Sequence, residues 1–120
     1  MYKAIYDKNN KPYAIKKISK KKIKEQKMEQ QVMKEIKISY QLKHPHIIHL
    51  YDVVTEADNV SLILELAENG QLYTRVMQKG RLDEQFAKKI IGQILSALKY
   101  LHTLPDPIIH RDIKPENIIV

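Results

Sequence analysis

The sequence predicts an α+β fold, on three observations. Residues 1–66 hold four short segments of alternating or β-branched apolar residues, the pattern of strands with one buried face. Residues 83–102 carry a broad apolar stripe at helical spacing. Between these regions Ala67-Glu68-Asn69-Gly70 is a short polar connector. An antiparallel sheet with one long helix is therefore expected in residues 1–66. Residues 71–120 should be helical, and residues 67–70 should form the link.

Each element has its own reason. Tyr2-Lys3-Ala4-Ile5-Tyr6 alternates, and so do residues 13–18. Residues 7–12, with Asn9-Asn10 and Pro12, have the chemistry of a turn, so the pair reads as a hairpin. Ser19 can cap a short basic helix. From Gln26 to Leu42 the residues Met28, Val32, Ile36, Ser39 and Tyr40 recur at helical spacing. His44-Pro45 should stop that helix, because a residue before proline resists the helical region. Residues 47–54 and 60–66 read as two further strands around the turn Glu56-Ala57-Asp58-Asn59.

Residues 72–79 suit a short helix closed by Gly80. Asp83 should cap the strongest helix, which runs to about His102. Its stripe comprises Phe86, Ala87, Ile90, Ile91, Ile94, Leu95, Leu98 and Leu101. Gly92 lies inside it at a cost of ~1 kcal/mol unless another helix packs closely there. Pro105 and Pro107 follow it. Two short apolar pieces, Ile108-Ile109 and Ile118-Ile119-Val120, flank a polar loop.

Bulk properties narrow the function classes. The chain has 120 residues, 43% apolar, enough for one small domain. It has no cysteine, which excludes disulfides and cysteine-ligated zinc and fits a reducing compartment. No apolar run is long enough to span a membrane, and Asp7-Lys8-Asn9-Asn10-Lys11 interrupts the apolar core a signal peptide would need. An intracellular, non-secreted protein is expected. The net charge is +7, with Lys16, Lys17, Lys20, Lys21, Lys22, Lys24 and Lys27 crowded in one segment. No aromatic residue stands among these lysines to stack on bases. They read as a solvated helix approach rather than a nucleic-acid surface. His44, His46 and His49 could suggest a metal site, but no cysteine or well-placed carboxylate joins them, so a structural role is expected.

The polar loop carries the chemistry. It reads His110-Arg111-Asp112-Ile113-Lys114-Pro115-Glu116-Asn117. A carboxylate at Asp112 can orient a hydroxyl and accept its proton. Lys114, two residues on, is a flexible point charge suited to a phosphoryl group. Asn117 offers an amide oxygen, a hard ligand that suits Mg²⁺. An ordinary polar turn before a strand is the competing reading, and eight residues of this order weigh against it.

This run resembles the H-R-D-x-K-x-x-N catalytic loop of eukaryotic-type protein kinases, in its serine/threonine form. The resemblance extends over essentially all 120 residues. It implies a protein-kinase-like bilobal fold, partial, with an antiparallel N-lobe sheet and helix αC in residues 1–66. A hinge would occupy residues 67–70, and the start of a helical C-lobe residues 71–120. It implies ATP and Mg²⁺ as cofactors and serine or threonine hydroxyls of a protein substrate as acceptors. No nucleic-acid or membrane partner is implied, and nothing indicates an oligomeric state. Asp112 would be the catalytic base and Lys114 the phosphate-side cation. Asn117 would be the metal ligand, with Glu116 beside it among the cofactor-binding residues.

Tyr13-Ala14-Ile15-Lys16 is similar to the family's Val-Ala-Ile-Lys. Lys16 would touch the α- and β-phosphates and pair with Glu35, while the small Ala14 leaves room for adenine. Glu35 is implied by its distance from His44-Pro45. Leu62-Ile63-Leu64-Glu65-Leu66-Ala67 resembles the last N-lobe strand entering the hinge. There backbone groups of Glu65 and Ala67 would bond adenine and Leu64 would gate the back pocket. His110 would pack in the core.

Within the kinases, Glu35-Ile36-Lys37-Ile38, His44-Pro45-His46-Ile47, residues 62–65 and residues 86–102 look most like the Aurora group. The sequence departs from that group at Leu66, where a hinge tyrosine is usual. Gln71 stands where kinases selecting basic substrates often carry glutamate, and Thr103-Leu104-Pro105-Asp106-Pro107 is a long link. The glycine-rich loop and the Asp-Phe-Gly segment of the family do not occur in these 120 residues, whose glycines are Gly70, Gly80 and Gly92. A non-catalytic truncated lobe that binds nucleotide or protein, or an incomplete gene product, therefore stands as the alternative. The 120 residues alone are expected to have little or no activity and poor stability.

Overall fold

The computed structural model describes residues 2–6 and 9–120; the side chains described are those from Asn9 onward. The chain divides into two compact units, Met1–Leu66 and Ala67–Val120.

The first unit is built on a four-stranded antiparallel sheet in the order β1-β2-β4-β3. Its strands are β1 (Tyr2–Tyr6), β2 (Lys11–Ser19), β3 (Leu50–Thr55) and β4 (Asn59–Glu65). Of the expected turn over 7–12, Asp7 and Lys8 lie outside the described residues. Its remainder is an Asx turn: the Asn9 side chain accepts from the Lys11 N–H at 3.0 Å, and Asn10 adopts φ 54°. The register sets Ala14 opposite Leu64, and Lys16 opposite Leu62. Directly opposed residues share a face, so Ala14, Lys16, Leu62, Leu64 and Leu50 (paired with Leu64) lie on one side of the sheet. Ala14 and Leu50 are buried there.

Ser19 caps α1 (Lys20–Glu25), its hydroxyl accepting from the Lys22 N–H at 3.5 Å. The expected helix over 26–42 is instead α2 (Glu29–Gln41). At its start the N–H groups of Gln26, Lys27 and Met28 are used to close α1, bonding to Lys22, Lys24 and Ile23. Lys27 then turns left-handed at φ 53°, which ends one helix before the next begins. At its end Leu42 is already extended, so α2 stops ahead of His44-Pro45 rather than at it. A turn bonding the Ile47 N–H to the His44 carbonyl delays the next strand to Leu50.

The second unit contains α3 (Leu72–Lys79) and α4 (Glu84–His102). Gly80 ends α3 at φ 79°, a conformation that L side chains resist. The Asp83 carboxylate caps α4, accepting from the Phe86 N–H at 3.1 Å. Ile90 and Leu101 of the apolar stripe are buried, but Ile91 and Leu95 stay more than half exposed. A methyl group built at Gly92 meets nothing within 4 Å, so no close helix packing among the described residues accounts for that glycine. After α4 the chain passes through the polar loop to a 3₁₀ turn (Pro115–Asn117). It returns to the start of the unit: the Leu72 N–H bonds the Ile118 carbonyl at 2.8 Å, and the Val120 N–H bonds that of Gly70 at 2.9 Å. Gln71 and Ile119 form an antiparallel bridge. These bonds anchor the polar loop's far end beside buried Leu72. No helix among the described residues is long and apolar enough to cross a membrane.

Candidate active site

The loop between α4 and the 3₁₀ turn gathers three of the residues singled out above. Lys114 Nζ lies 3.2 Å from Asp112 Oδ1. The Asn117 amide donates to Asp112 twice, to Oδ2 at 3.0 Å and to the backbone carbonyl at 2.9 Å. The Asp112 N–H donates to His110 Nδ1 at 3.2 Å. Asp112 is thus held from three sides while remaining exposed. The Lys114 ammonium, then the Asn117 amide, hold its carboxyl below the usual carboxylate range. It is ionised at neutral pH, the state in which it can accept a bond from an incoming hydroxyl.

Arg111, immediately before it, sits at φ 70°. A non-glycine residue in that region is uncommon and carries strain, of the kind that clusters at functional positions. Sequence reasoning missed this strain, and no residue type signals it. It assigns Asn117 to the cofactor site and as the metal ligand, and half of its amide also ties the loop together. The same i, i+2 bond recurs where the His46 N–H donates to His44 Nδ1 at 3.0 Å. His110 is exposed, and so does not pack in a core as expected. Its ring serves as the acceptor that shapes the turn.

The donor set near Asn117 suits a hard cation. Its nitrogen is spent on Asp112, which leaves its amide oxygen and the Asp112 carboxylate as hard oxygen donors. Among the described residues no group of three His, Cys, Asp or Glu side chains could hold a metal. Glu116, in the 3₁₀ turn, points no contact at this loop among the described residues and is exposed.

In the first unit Lys16 occupies β2 on the same face as buried Ala14, and its side chain is exposed. Glu35 lies on α2, also exposed, where its Oε1 accepts from Gln31 Nε2 at 3.4 Å. These two make no ion pair among the described residues, so the implied Lys16–Glu35 contact is open in this structure. Its physical reason is plain: both heads are solvated, and an exposed pair is worth only ~0.2–1 kcal/mol against the entropy of two long side chains. Leu64 is half-buried between Ala14 and Leu50 in the sheet. The Glu65 N–H is engaged by the His49 carbonyl at 2.8 Å, and its carboxylate accepts from the His49 N–H at 3.1 Å. Any backbone bond from Glu65 to a ligand therefore falls to its carbonyl. Ala67 is half-buried at the start of the second unit.

The first unit is thus an antiparallel sheet with helices, and the second carries a loop of ordered Asp, Lys and Asn. A family profile described as the protein kinase domain matches residues 1–120. The chain is 38% identical over 107 residues to the carbon catabolite-derepressing protein kinase of Candida glabrata, covering 89% of this chain and 17% of that protein. It is 42% identical over 117 residues to calcium-dependent protein kinase 5 of Plasmodium berghei, covering 98% and 20%. To the calcium/calmodulin-dependent protein kinase type IV of Mus musculus it is 38% identical over 119 residues, covering 99% and 24%. This chain belongs to the protein kinase family, and one relative, 44% identical over 109 residues, is named the probable serine/threonine-protein kinase fhkD of Dictyostelium discoideum. It spans between 14% and 24% of the length of the curated relatives it matches.

Proposed function

We propose that the protein phosphorylates serine or threonine hydroxyls of other proteins with ATP as donor. The observation that carries this reading is the loop in which Lys114 and Asn117 both hold the Asp112 carboxylate. Asp112 would accept the proton as the substrate oxygen bonds to the γ-phosphorus and the bond to ADP breaks. Lys114 would neutralise charge on the transferred group, and Asn117 would offer its amide oxygen to Mg²⁺. When bound, Mg²⁺ neutralises phosphate charge and orients the chain of phosphates. Lys16 and Glu35 would position the α- and β-phosphates, and Ala14, Leu64, the Glu65 carbonyl and Ala67 would receive adenine. Residues 67–70 would serve as the hinge. The narrower placement in the Aurora group rests on the four segments quoted for it alone. An intracellular site of action fits the lack of cysteine.

The open Lys16–Glu35 contact favours a second reading, in which the chain binds nucleotide or protein without turnover. One experiment separates the two. The whole protein is incubated with γ-labelled ATP, Mg²⁺ and a mixed protein substrate. Transfer to serine or threonine that disappears in Asp112→Asn supports the kinase reading. Nucleotide binding without transfer, unaffected by Asp112→Asn, supports the second.

A further inference from the structure

A cavity of about 830 Å³ opens in the second unit, between the end of α3 and the start of α4. None of the residues discussed for phosphoryl transfer lines it. Three cations do: Arg75, Lys79 and Arg81. Arg75 and Lys79 are four apart on α3 and so share one face of it. The reversal at Gly80 brings Arg81 round to the same recess.

Two carboxylates also line the cavity, Asp83 and Glu84, but each is engaged on its own helix. Asp83 caps α4 through the Phe86 N–H. Glu84 pairs with Lys88 at 3.4 Å. Among the described residues none of the three cations makes an ion pair. The lining carries three cations against two carboxylates, and among the described residues the cations are the groups left without an ion-pair partner. The Arg75 guanidinium lies 4.1 Å from the centre of the Phe86 ring. Stacking of this kind fixes the plane of an arginine and leaves its edge donors free, the arrangement that takes an oxyanion in a bidentate manner.

We propose that this recess binds an acidic segment of a partner protein, through the carboxylates of its Asp and Glu side chains. The volume suits a few side chains rather than one ion; small-molecule pockets span roughly 300–1,000 Å³. The stacked Arg75 receives one anion, and Lys79 and Arg81 receive its neighbours. This binding is independent of phosphoryl transfer.

The test uses the whole protein and two fluorescein-labelled peptides, one carrying a run of glutamates and one carrying phosphoserine in a neutral background. Their anisotropy is followed on titration, with a lysine-substituted peptide as control. Saturable binding of the glutamate peptide is expected, and saturable binding of the phosphoserine peptide alone overturns the proposal. Arg81→Glu lies in an exposed loop and leaves the Arg75 stack intact. It should weaken binding by about tenfold or more, the size expected for one charge-assisted contact. Arg75→Gln should do likewise. Lys20→Glu with Lys24→Glu, on the basic α1 of the other unit, should leave the affinity within about twofold, since neither residue lines the recess. Absence of saturable binding overturns the proposal. So does an equal loss in the α1 variant, which would mean attraction to the net charge of +7 rather than to this recess.

Discussion

Leu50→Ala should be the most damaging conservative truncation in the first unit. Leu50 is 2% exposed, and among the described residues no larger side chain is so fully buried. It stands opposite Leu64 on the sheet face that also carries Ala14 and Lys16. The change removes three carbon groups from that face. At ~0.8 kcal/mol for each, the transfer loss is about 2.4 kcal/mol. A cavity that closes only partly raises the total to about 3–4 kcal/mol, within the range measured for buried Leu→Ala changes. That is a large share of the ~5–15 kcal/mol that holds a typical domain. Leu95→Ala makes the same chemical change on α4, where the side chain is 59% exposed. Only about two-fifths of the transfer term applies there, about 1 kcal/mol, and any cavity opens to water. Urea unfolding of the whole protein, followed by far-UV circular dichroism, measures both. If Leu50→Ala shifts the midpoint no more than Leu95→Ala does, the first unit is not held by the contacts described.

Three further outcomes follow from single groups. The Ser61 hydroxyl is buried at 4% exposure and has no hydrogen-bond partner among the described residues, so Ser61→Ala should stabilise the protein by about 1 kcal/mol; a lower melting temperature would contradict this. Asp83→Ala removes the cap of α4 and should cost ~1 kcal/mol, with an unchanged melting temperature as the contrary result. Lys114→Ala removes the main cause of the lowered Asp112 pKa, so the Asp112 carboxyl should titrate at a higher pH in carbon-detected NMR. The sign for stability runs with it. A carboxyl lowered on folding contributes above its unfolded pKa, and that contribution is lost as pH falls through the folded value. Lys114→Ala should therefore flatten the acid limb of the stability curve, and an unchanged Asp112 titration would refute the assignment.

Much of this protein is legible in residue order. Apolar spacing together with turn and cap chemistry places the hairpin of β1 and β2, the strand β4, and both helices of the second unit. Ser19, Gly80 and Asp83 act where their chemistry says they should. Local patterns are less reliable where two signals compete. The apolar spacing over 26–42 favours one helix, but the amides of residues 26–28 are claimed by α1, and the boundary moves. Likewise apolar residues from Ile47 onward look like strand, yet the turn after His44-Pro45 uses them first.

The loop around Asp112 divides in the same way. That Asp112, Lys114 and Asn117 stand near one another is decided by the sequence, since only a few bonds separate them. Its family membership is legible there too, through the residue order from His110 to Asn117. The left-handed Arg111, the amide clasp from Asn117 and the exposure of His110 belong to the tertiary structure alone. So do the open Lys16–Glu35 contact and the basic recess beside Phe86. These depend on which donors and acceptors remain after backbone bonds are made, and on which charged heads stay in water. Linear order does not carry that competition; the folded chain settles it.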